Sequence, residues 1–361
     1  MDRLRDQRMP NIADETEKMV NLSFRLAWIL LAAARLAQGN ETCGLQNVTY
    51  AAPTDVIFSG NFDTQIAAGL GPTLATVAVP SFGVAPTVTI TAPATGSALV
   101  SGTVQVAGTV TGPPGTGVTV NGISAYVTAG KFVTPPFKVE PTTTSLSAQA
   151  MTLDNLSASN TINITSGAAD AGARLATDSP IGFAALPVQF NLTTSSTQPV
   201  LGVVVDFGDG SPNYTDNRTG YVSKHTYSNP GLYVASATIT FADSSQQYAN
   251  TMVMALSMPE QRADICSTFA YVRAQMIAAQ PSAALQGFTV DFSTKLSPLF
   301  QALSTRGLLA NVGAQLGTLA AGTIGLDTAD LMAVRDTNGR LLGFPIHFIR
   351  DTNGVWRINA M

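Results

Sequence analysis

Short stretches in which apolar and polar residues alternate recur along most of the chain, each closed off by glycine, proline, asparagine or aspartate. Val88-Thr89-Ile90-Thr91 alternates and meets the turn residues Pro93-Ala94-Thr95-Gly96, and Val104-Gln105-Val106 alternates again. Successive side chains of a strand point to opposite faces, so each stretch predicts a half-buried strand. After the Gly112-Pro113-Pro114-Gly115 loop, Val118-Thr119-Val120 runs into Asn121-Gly122. That dipeptide predicts a tight hairpin, because both positions tolerate positive φ. Ala125-Tyr126-Val127 and Lys131-Phe132-Val133 supply the next strands, with residues 147–150 and 161–165 closing the set. The spacing predicts a two-layer β-sandwich over residues 86–166.

The alternation resumes in residues 167–257. Leu186 to Asn191 places Val188 and Phe190 on one face, and Tyr233 to Thr240 predicts a long strand. Val200 to Val205 is almost continuously apolar, which predicts a central strand covered on both sides. At Ser257-Met258-Pro259-Glu260 the pattern changes to a capping box with proline in the first helical turn. Ile265, Phe269, Val272 and Met276 then recur at helical spacing. A second helical stretch carries Phe292, Leu296, Leu299, Phe300 and Leu303, with a break at Ser297-Pro298, and a third carries Leu308, Leu309, Val312 and Leu316. Asp336-Thr337-Asn338-Gly339 and Asp351-Thr352-Asn353-Gly354 each predict an Asn-Gly two-residue loop, so strands 330–337, 340–352 and 355–360 should form an antiparallel meander.

The predicted fold class is therefore mainly β and multidomain: two immunoglobulin-like β-sandwiches in tandem, 86–166 and 167–257, followed by an α+β roll, 258–361. Residues 40–85 show no sustained period and contain Gly69-Leu70-Gly71-Pro72, so they predict a linker with fragments able to pack on a neighbour. Ahead of them, Leu26 to Ala34 is an apolar run between Arg25 and Arg35. It is too short to span a bilayer and predicts the apolar region of a secretory signal within residues 1–39, with Ala37-Gln38-Gly39 as a cleavage site. Initiation at Met19, an uncleaved anchor and an amphipathic cytosolic helix remain alternatives.

Composition narrows the function classes. Only 12% of the 361 residues are charged and the formal net charge is −4, with no basic cluster after the N-terminus. Such a surface cannot neutralise phosphates, which argues against nucleic-acid partners. Mean hydropathy is +0.20, while Thr, Ser, Ala, Gly and Val are abundant, as in exported β-rich modules. Two cysteines, Cys43 and Cys266, are compatible with one disulfide in an exported chain or with two free thiols. Two histidines, His225 and His347, leave little scope for a metal centre or a Ser-His dyad. Asn-x-Ser/Thr triplets, among them Asn155, Asn163, Asn191, Asn213 and Asn217, matter only where the source cell glycosylates exported chains.

Val205-Asp206-Phe207-Gly208-Asp209-Gly210-Ser211, followed by His225-Thr226-Tyr227 and Pro230-Gly231-Leu232-Tyr233, resembles the signature of PKD domains, β-sandwich modules of the polycystic-kidney-disease repeat type. The family usually has an aromatic residue where Val205 stands. The resemblance implies structural work for Asp206, Phe207, Gly208, Asp209, Gly210, His225, Tyr227, Pro230, Gly231 and Tyr233. The pattern of residues 86–166 resembles bacterial Ig-like modules of secreted hydrolases and adhesins, and the ending from Phe344 to Ile358 resembles NTF2-like or cystatin-like rolls of exported bacterial proteins.

Asp206 and Asp209 are candidate calcium ligands, since carboxylates and turn carbonyls are hard oxygen donors, with pinning of the turn as the alternative. His347 is a candidate acid-base group if a pocket joins it to Asp291 or Asp330. Counted from the Asn353-Gly354 turn, it shares a face with Ile349 and Ile358. Trp356 is expected in the core. Glu140 and Asp154, the carboxylates of residues 86–166, lack the spacing of an acid-base pair. No catalytic residue is assigned and no cofactor is expected. The expected function is non-catalytic: adhesion, or binding of an extracellular protein or polysaccharide, at the cell surface, in the periplasm or after secretion. The end roll is expected to carry the partner, on the PKD-like module as a rigid arm. An accessory part of an extracellular hydrolase system and a small-ligand enzyme in the roll are the alternatives.

Overall fold

The structure, a computed structural model, describes Cys43 and residues 49–50, 83–100, 102–168, 172–337 and 340–361. The signal segment, its cleavage site and most of the expected linker, Gly69 to Pro72 included, lie outside the described residues. Among the described residues no helix is long and apolar enough to cross a membrane.

The first sandwich is built on a seven-stranded sheet whose two layers share a strand. Ile123–Thr128 pairs with Gly117–Val120 through residues 123–125 and with Lys131–Val133 through residues 126–128, so it passes from one layer to the other. Asn121 and Gly122 both have positive φ, as a two-residue turn between Val120 and Ile123 requires. Ala129-Gly130 makes a second turn of the same kind between Thr128 and Lys131, where alanine at positive φ is not legible as a hairpin signal. Val106, Val118, Val120, Phe132, Leu146 and Ala148 fill the space between the layers.

In the PKD-like module a three-stranded sheet faces a five-stranded one. Leu186, Val188, Phe190 and Leu192 project from the first sheet onto Val203, Val205, Ala237 and Ile239 of the second. The apolar run Val200–Asp206 is covered on one face, not two. Val203 and Val205 are buried while Val204 is exposed, because the outer side of the five-stranded sheet has no layer over this strand, and Leu201 is exposed at the bulge between Val200 and Gly202.

The end domain starts with helix α1, Met258–Ile277, and continues through α2, Pro281–Leu285, α3, Val290–Thr305, and α4, Leu309–Ala314. Its middle section is buried well beyond the expected stripe: Ser267, Thr268, Ala270 and Tyr271 are enclosed along with Ile265, Phe269 and Val272. A helix covered nearly all round lies between layers rather than on a surface. Helix α3 runs through Pro298 without the expected break. Pro298 and Thr294 are both exposed, so water can satisfy the carbonyl that proline leaves without a donor, while Phe300 and Leu303 hold the following turn in the core.

The meander follows in a sheet ordered Thr49–Tyr50, Thr318–Ile324, Thr328–Thr337, Arg340–Arg350, Trp356–Ala360. Two of these strands were not expected. Thr318–Ile324 precedes the meander, and Thr49–Tyr50, from the expected linker, adds in parallel along it. Thr337 pairs with Arg340, as a two-residue loop requires, although Asn338 and Gly339 lie outside the described residues. The second loop differs from expectation. The Asp351 carboxylate accepts from the amides of Asn353 and Val355, and the Gly354 amide bonds the Asp351 carbonyl. The result is a three-residue turn in which Gly354 alone takes positive φ.

The modules are consecutive in sequence but not strung in line, so the PKD-like module is not an arm beneath an outlying roll. One core cluster joins Ala107, Val133 and Leu153 of the first sandwich, Phe183, Met254 and Leu256 of the PKD-like module, and Ile265, Phe348 and Trp356 of the end domain. Gly117 marks the closeness of the fit: a Cβ there would lie 2.3 Å from the Asn353 carbonyl oxygen. A disulfide between Cys43 and Cys266 resolves the cysteine alternatives and ties Cys43 to α1.

Candidate functional site

The PKD-like signature assembles into one stacked network. Phe207 lies flat on His225 at 4.0 Å between ring centroids, His225 meets Tyr227 edge-on at 4.8 Å, and Tyr227 stacks on Tyr233 at 4.6 Å. The buried Tyr227 hydroxyl donates to the Phe207 carbonyl at 2.9 Å, and burial pushes this phenol well above its usual range, with Asp209 adding to the rise. Tyr233 donates to the Asn229 carbonyl, closing the Pro230-Gly231 turn. Gly208 has positive φ, and a Cβ there would lie 2.3 Å from the Val234 carbonyl oxygen. Only glycine meets both demands. Val205, where the family usually has an aromatic ring, is fully buried among these groups.

The two candidate calcium ligands are engaged within the turn. Asp206 accepts from the Gly208 amide at 2.8 Å. Asp209 accepts from the Ser211 amide and hydroxyl through one oxygen, and its other oxygen lies 2.7 Å from His225 Nε2. Burial works to raise the Asp209 carboxyl, but the bonds from Ser211 and His225 outweigh it and hold it below the usual carboxylate range. Calcium takes about six to eight oxygens; among the described residues, no three metal-ligating side chains converge.

His347 does meet a candidate partner. Asp330 and His347 are cross-strand neighbours, with Nδ1 2.7 Å from Oδ1, whereas Asp291 lies in the first turn of α3. Their side chains are 52% and 32% exposed, so the pair lies on the outer face of the sheet rather than in a pocket. Ile349 shares that face. Ile358 does not: it pairs with the buried Phe348 and points inward, because the three-residue turn pairs Asp351 with Val355 and so shifts the register by one residue from that of a two-residue loop. The inner face is filled by Leu331, Ile346, Phe348 and Ile358 against Phe269, Phe288 and Phe300. Trp356 is in the core, 2% exposed, with its indole N–H donating to Gln261.

Sequence reasoning missed the joint between the first sandwich and the end domain. Ser257 caps α1 by accepting from the Glu260 amide, but the reciprocal bond of the capping box is relayed. The Ser257 amide donates to the Thr128 hydroxyl, which donates to the Glu260 carboxylate; the Ala129 amide donates there too. One turn on, Asp264 accepts from the Gly115 amide at 2.7 Å. The residue keeps some surface toward a cavity of about 280 Å³, but its carboxyl is enclosed. Burial pushes it up to about 7 against the pull of the Gly115 amide; Glu260 adds to the rise and Arg350 opposes it. Nearby, Arg350 lies 4.3 Å over the Tyr126 ring and donates to the Ala125 carbonyl, while the Tyr126 hydroxyl donates to Asp327. The legible signals were two carboxylates one helical turn apart and a Gly-Pro-Pro-Gly loop, neither of which names its partner.

The outer side of the five-stranded PKD-like sheet presents an open face. Thr215, Val204, Thr238 and Tyr248 form one cross-strand row, and Asp206, Ser236 and Asn250 form the next. Tyr248 is 63% exposed, its hydroxyl donating to Gln246; Val204, in the same row, and Val234, two rows away opposite Met252, are exposed as well. Asp206 is the charged member of these rows. The first sandwich bounds the face at Met252, whose carbonyl accepts from Gln105.

No protein-family model matches the chain, and no curated protein does. Solved structures resemble single modules or pairs of them. The PKD1 domain of the Vibrio cholerae metalloprotease PrtV is 17% identical, over 24% of this chain and 95% of that one, with a TM-score of 0.19. The Clostridium thermocellum CbhA fibronectin(III)-like modules are 24% identical over 23% of this chain and 94% of that one, with a TM-score of 0.20. Bacteroides ovatus SGBP-B, solved with a mixed-linkage heptasaccharide, is 15% identical over 48% of each chain, with a TM-score of 0.17. The sandwich folds themselves rest on the strand pairings above.

Proposed function

We propose that the chain is a non-catalytic, exported binding protein, whose three modules form one rigid body that presents the open face of the PKD-like sheet to an extracellular polysaccharide or protein. The observation that carries this reading is the face itself. Hydroxyl and amide side chains stand in register around one exposed tyrosine, a mixture that can stack on an apolar ligand face and hydrogen-bond its edge. Fixed strands hold these groups in place, so little ordering entropy is lost when a ligand docks. The Cys43–Cys266 disulfide fits an oxidising compartment and hence export.

The test is binding of the purified chain to arrays of polysaccharides and matrix proteins, repeated with Tyr248→Ala and Val204→Asp. Loss of affinity by about tenfold or more with unchanged folding is expected if the face is the site. A ligand bound equally well by both variants would place the site elsewhere. Binding to nothing on either array would leave the modules as a structural spacer.

A further inference from the structure

Arg340 to Pro345 are all exposed although they belong to a sheet strand. Arg340 to Leu342 form a two-stranded arm with Arg335 to Thr337 beyond the end of Thr318–Ile324, and Gly343 to Pro345 continue the same strand along the sheet. Trp356–Ala360 pairs with Arg340–Arg350 only between His347 and Arg350, so from Ile346 back to Arg340 no strand lies along the far edge among the described residues. Leu341, Leu342 and Phe344 are 45%, 40% and 39% exposed along this strand.

The backbone along that edge can be assigned. The Arg350 amide donates to the Asp327 carbonyl on one side of the strand, and the Asp351 amide to the Val355 carbonyl on the other. The pairing with Thr328–Thr337 is unbroken from Ile349 to Arg340, so the alternation carries back intact. It turns the N–H and C=O groups of Gly343 and Leu341 outward, together with the C=O of Pro345. An edge with outward donors and acceptors and apolar side chains is a template for another strand.

We propose that this edge is a self-association site, at which two copies of the chain pair antiparallel about Gly343. The sequence is self-complementary in that register. Leu342 of one copy faces Phe344 of the other on one side of the sheet, and Leu341 faces Pro345 on the other. Leu341 to Ile346 carry no charge, so no like charges are opposed. Gly343 brings no side chain to the two-fold axis, where its N–H and C=O exchange bonds with the same groups of the second copy. The Leu341 amides reach the Pro345 carbonyls. Other registers are worse: centring on Pro345 leaves the axis without a donor, and centring on Leu341 brings the two Arg340 side chains within diagonal reach.

Single cysteines test the register in the full chain, whose own two cysteines are joined to each other. Opposed residues of a hydrogen-bonded antiparallel pair are about 5.5 Å apart at Cα, within disulfide reach. Gly343→Cys should therefore give a covalent dimer on mild oxidation. Leu341→Cys should not, since four residues of offset separate it from its own copy by roughly 13 Å; Val290→Cys, on the 80% exposed start of α3, is the surface control. By sedimentation the unmodified chain should dimerise, and Leu342→Lys with Phe344→Lys should weaken the dimer about tenfold or more with unchanged circular dichroism. If the lysine variants unfold, the cysteine series still decides. A chain that stays monomeric, or Gly343→Cys dimers no more abundant than those of Val290→Cys, overturns the proposal. So does an arm that pairs only with a different extended chain.

Discussion

The PKD-like module and the end domain bury their apolar residues in different ways. The cluster around Phe190, Val205, Tyr227 and Ile239 draws every member from between Ala173 and Ala255. The cluster around Trp356, Phe348 and Ile265 takes Ala107, Val133 and Leu153 from the first sandwich and Phe183, Met254 and Leu256 from the PKD-like module. A closed core lets a module stand alone, whereas a shared core fixes where its neighbours sit. The two histidines follow the same division. Each lies 2.7 Å from an aspartate, but the side chains of His225 and Asp209 are 15% and 17% exposed inside an aromatic stack, while His347 and Asp330 sit on an open sheet face. The same pair locks a turn in one setting and decorates a surface in the other.

The largest expected effect breaks the comparison directly. Trp356→Ala and Phe190→Ala should each cost about 3–5 kcal/mol in the unit that contains them. Followed by hydrogen exchange, Trp356→Ala should loosen the first sandwich together with the end domain, while Phe190→Ala should loosen the PKD-like module alone. Equal, module-confined losses from both variants would show that the core is not shared in solution.

A smaller effect sharpens the joint by pH. The Asp264 carboxyl, raised from 3.8 to about 7, holds its proton to higher pH in the folded chain than in the unfolded one. Between these values the folded state binds more protons, so stability is full below about pH 4 and is lost as pH rises through about 7, by at most about 4 kcal/mol. Asp264→Asn should flatten that part of the denaturation-versus-pH curve and leave the PKD-like module unchanged. A slope that survives the substitution would assign it to another group.

The smallest effect is local. Tyr227→Phe removes the donor to the Phe207 carbonyl and should cost about 1–2 kcal/mol, loosening the Asp206–Ser211 turn without changing protection in the end domain. Calorimetry with amide exchange separates this from a global loss.

Much of the architecture was legible because it rests on local rules. Period-two alternation located the sandwich strands, and Asn121-Gly122 folded as its conformational preferences demand. The signature around Asp206 predicted a network that depends on nearby residues. The misreadings have tertiary causes. Val200–Asp206 looked doubly covered because apolar residues do not reveal whether a second layer exists. Asp351 took over the amides of its loop and lengthened the turn by one residue, and that shift of register moved Ile358 to the face opposite His347. The relayed cap at Ser257 could not be read, because Thr128 comes from another module.

By itself the sequence determined the mainly β fold class, the helical start and strand-rich ending of the last segment, and the residues of the aromatic lock at the acidic turn. These depend on propensities and contacts among neighbours in the chain. Tertiary structure decided that Cys43 meets Cys266, that Thr49–Tyr50 joins the end sheet, that Asp264 is enclosed against Gly115, and that the end domain packs on the first sandwich. The physical reason is common to all four. Apolar surface is buried wherever complementary shapes meet, and chain order places no limit on which surfaces those are.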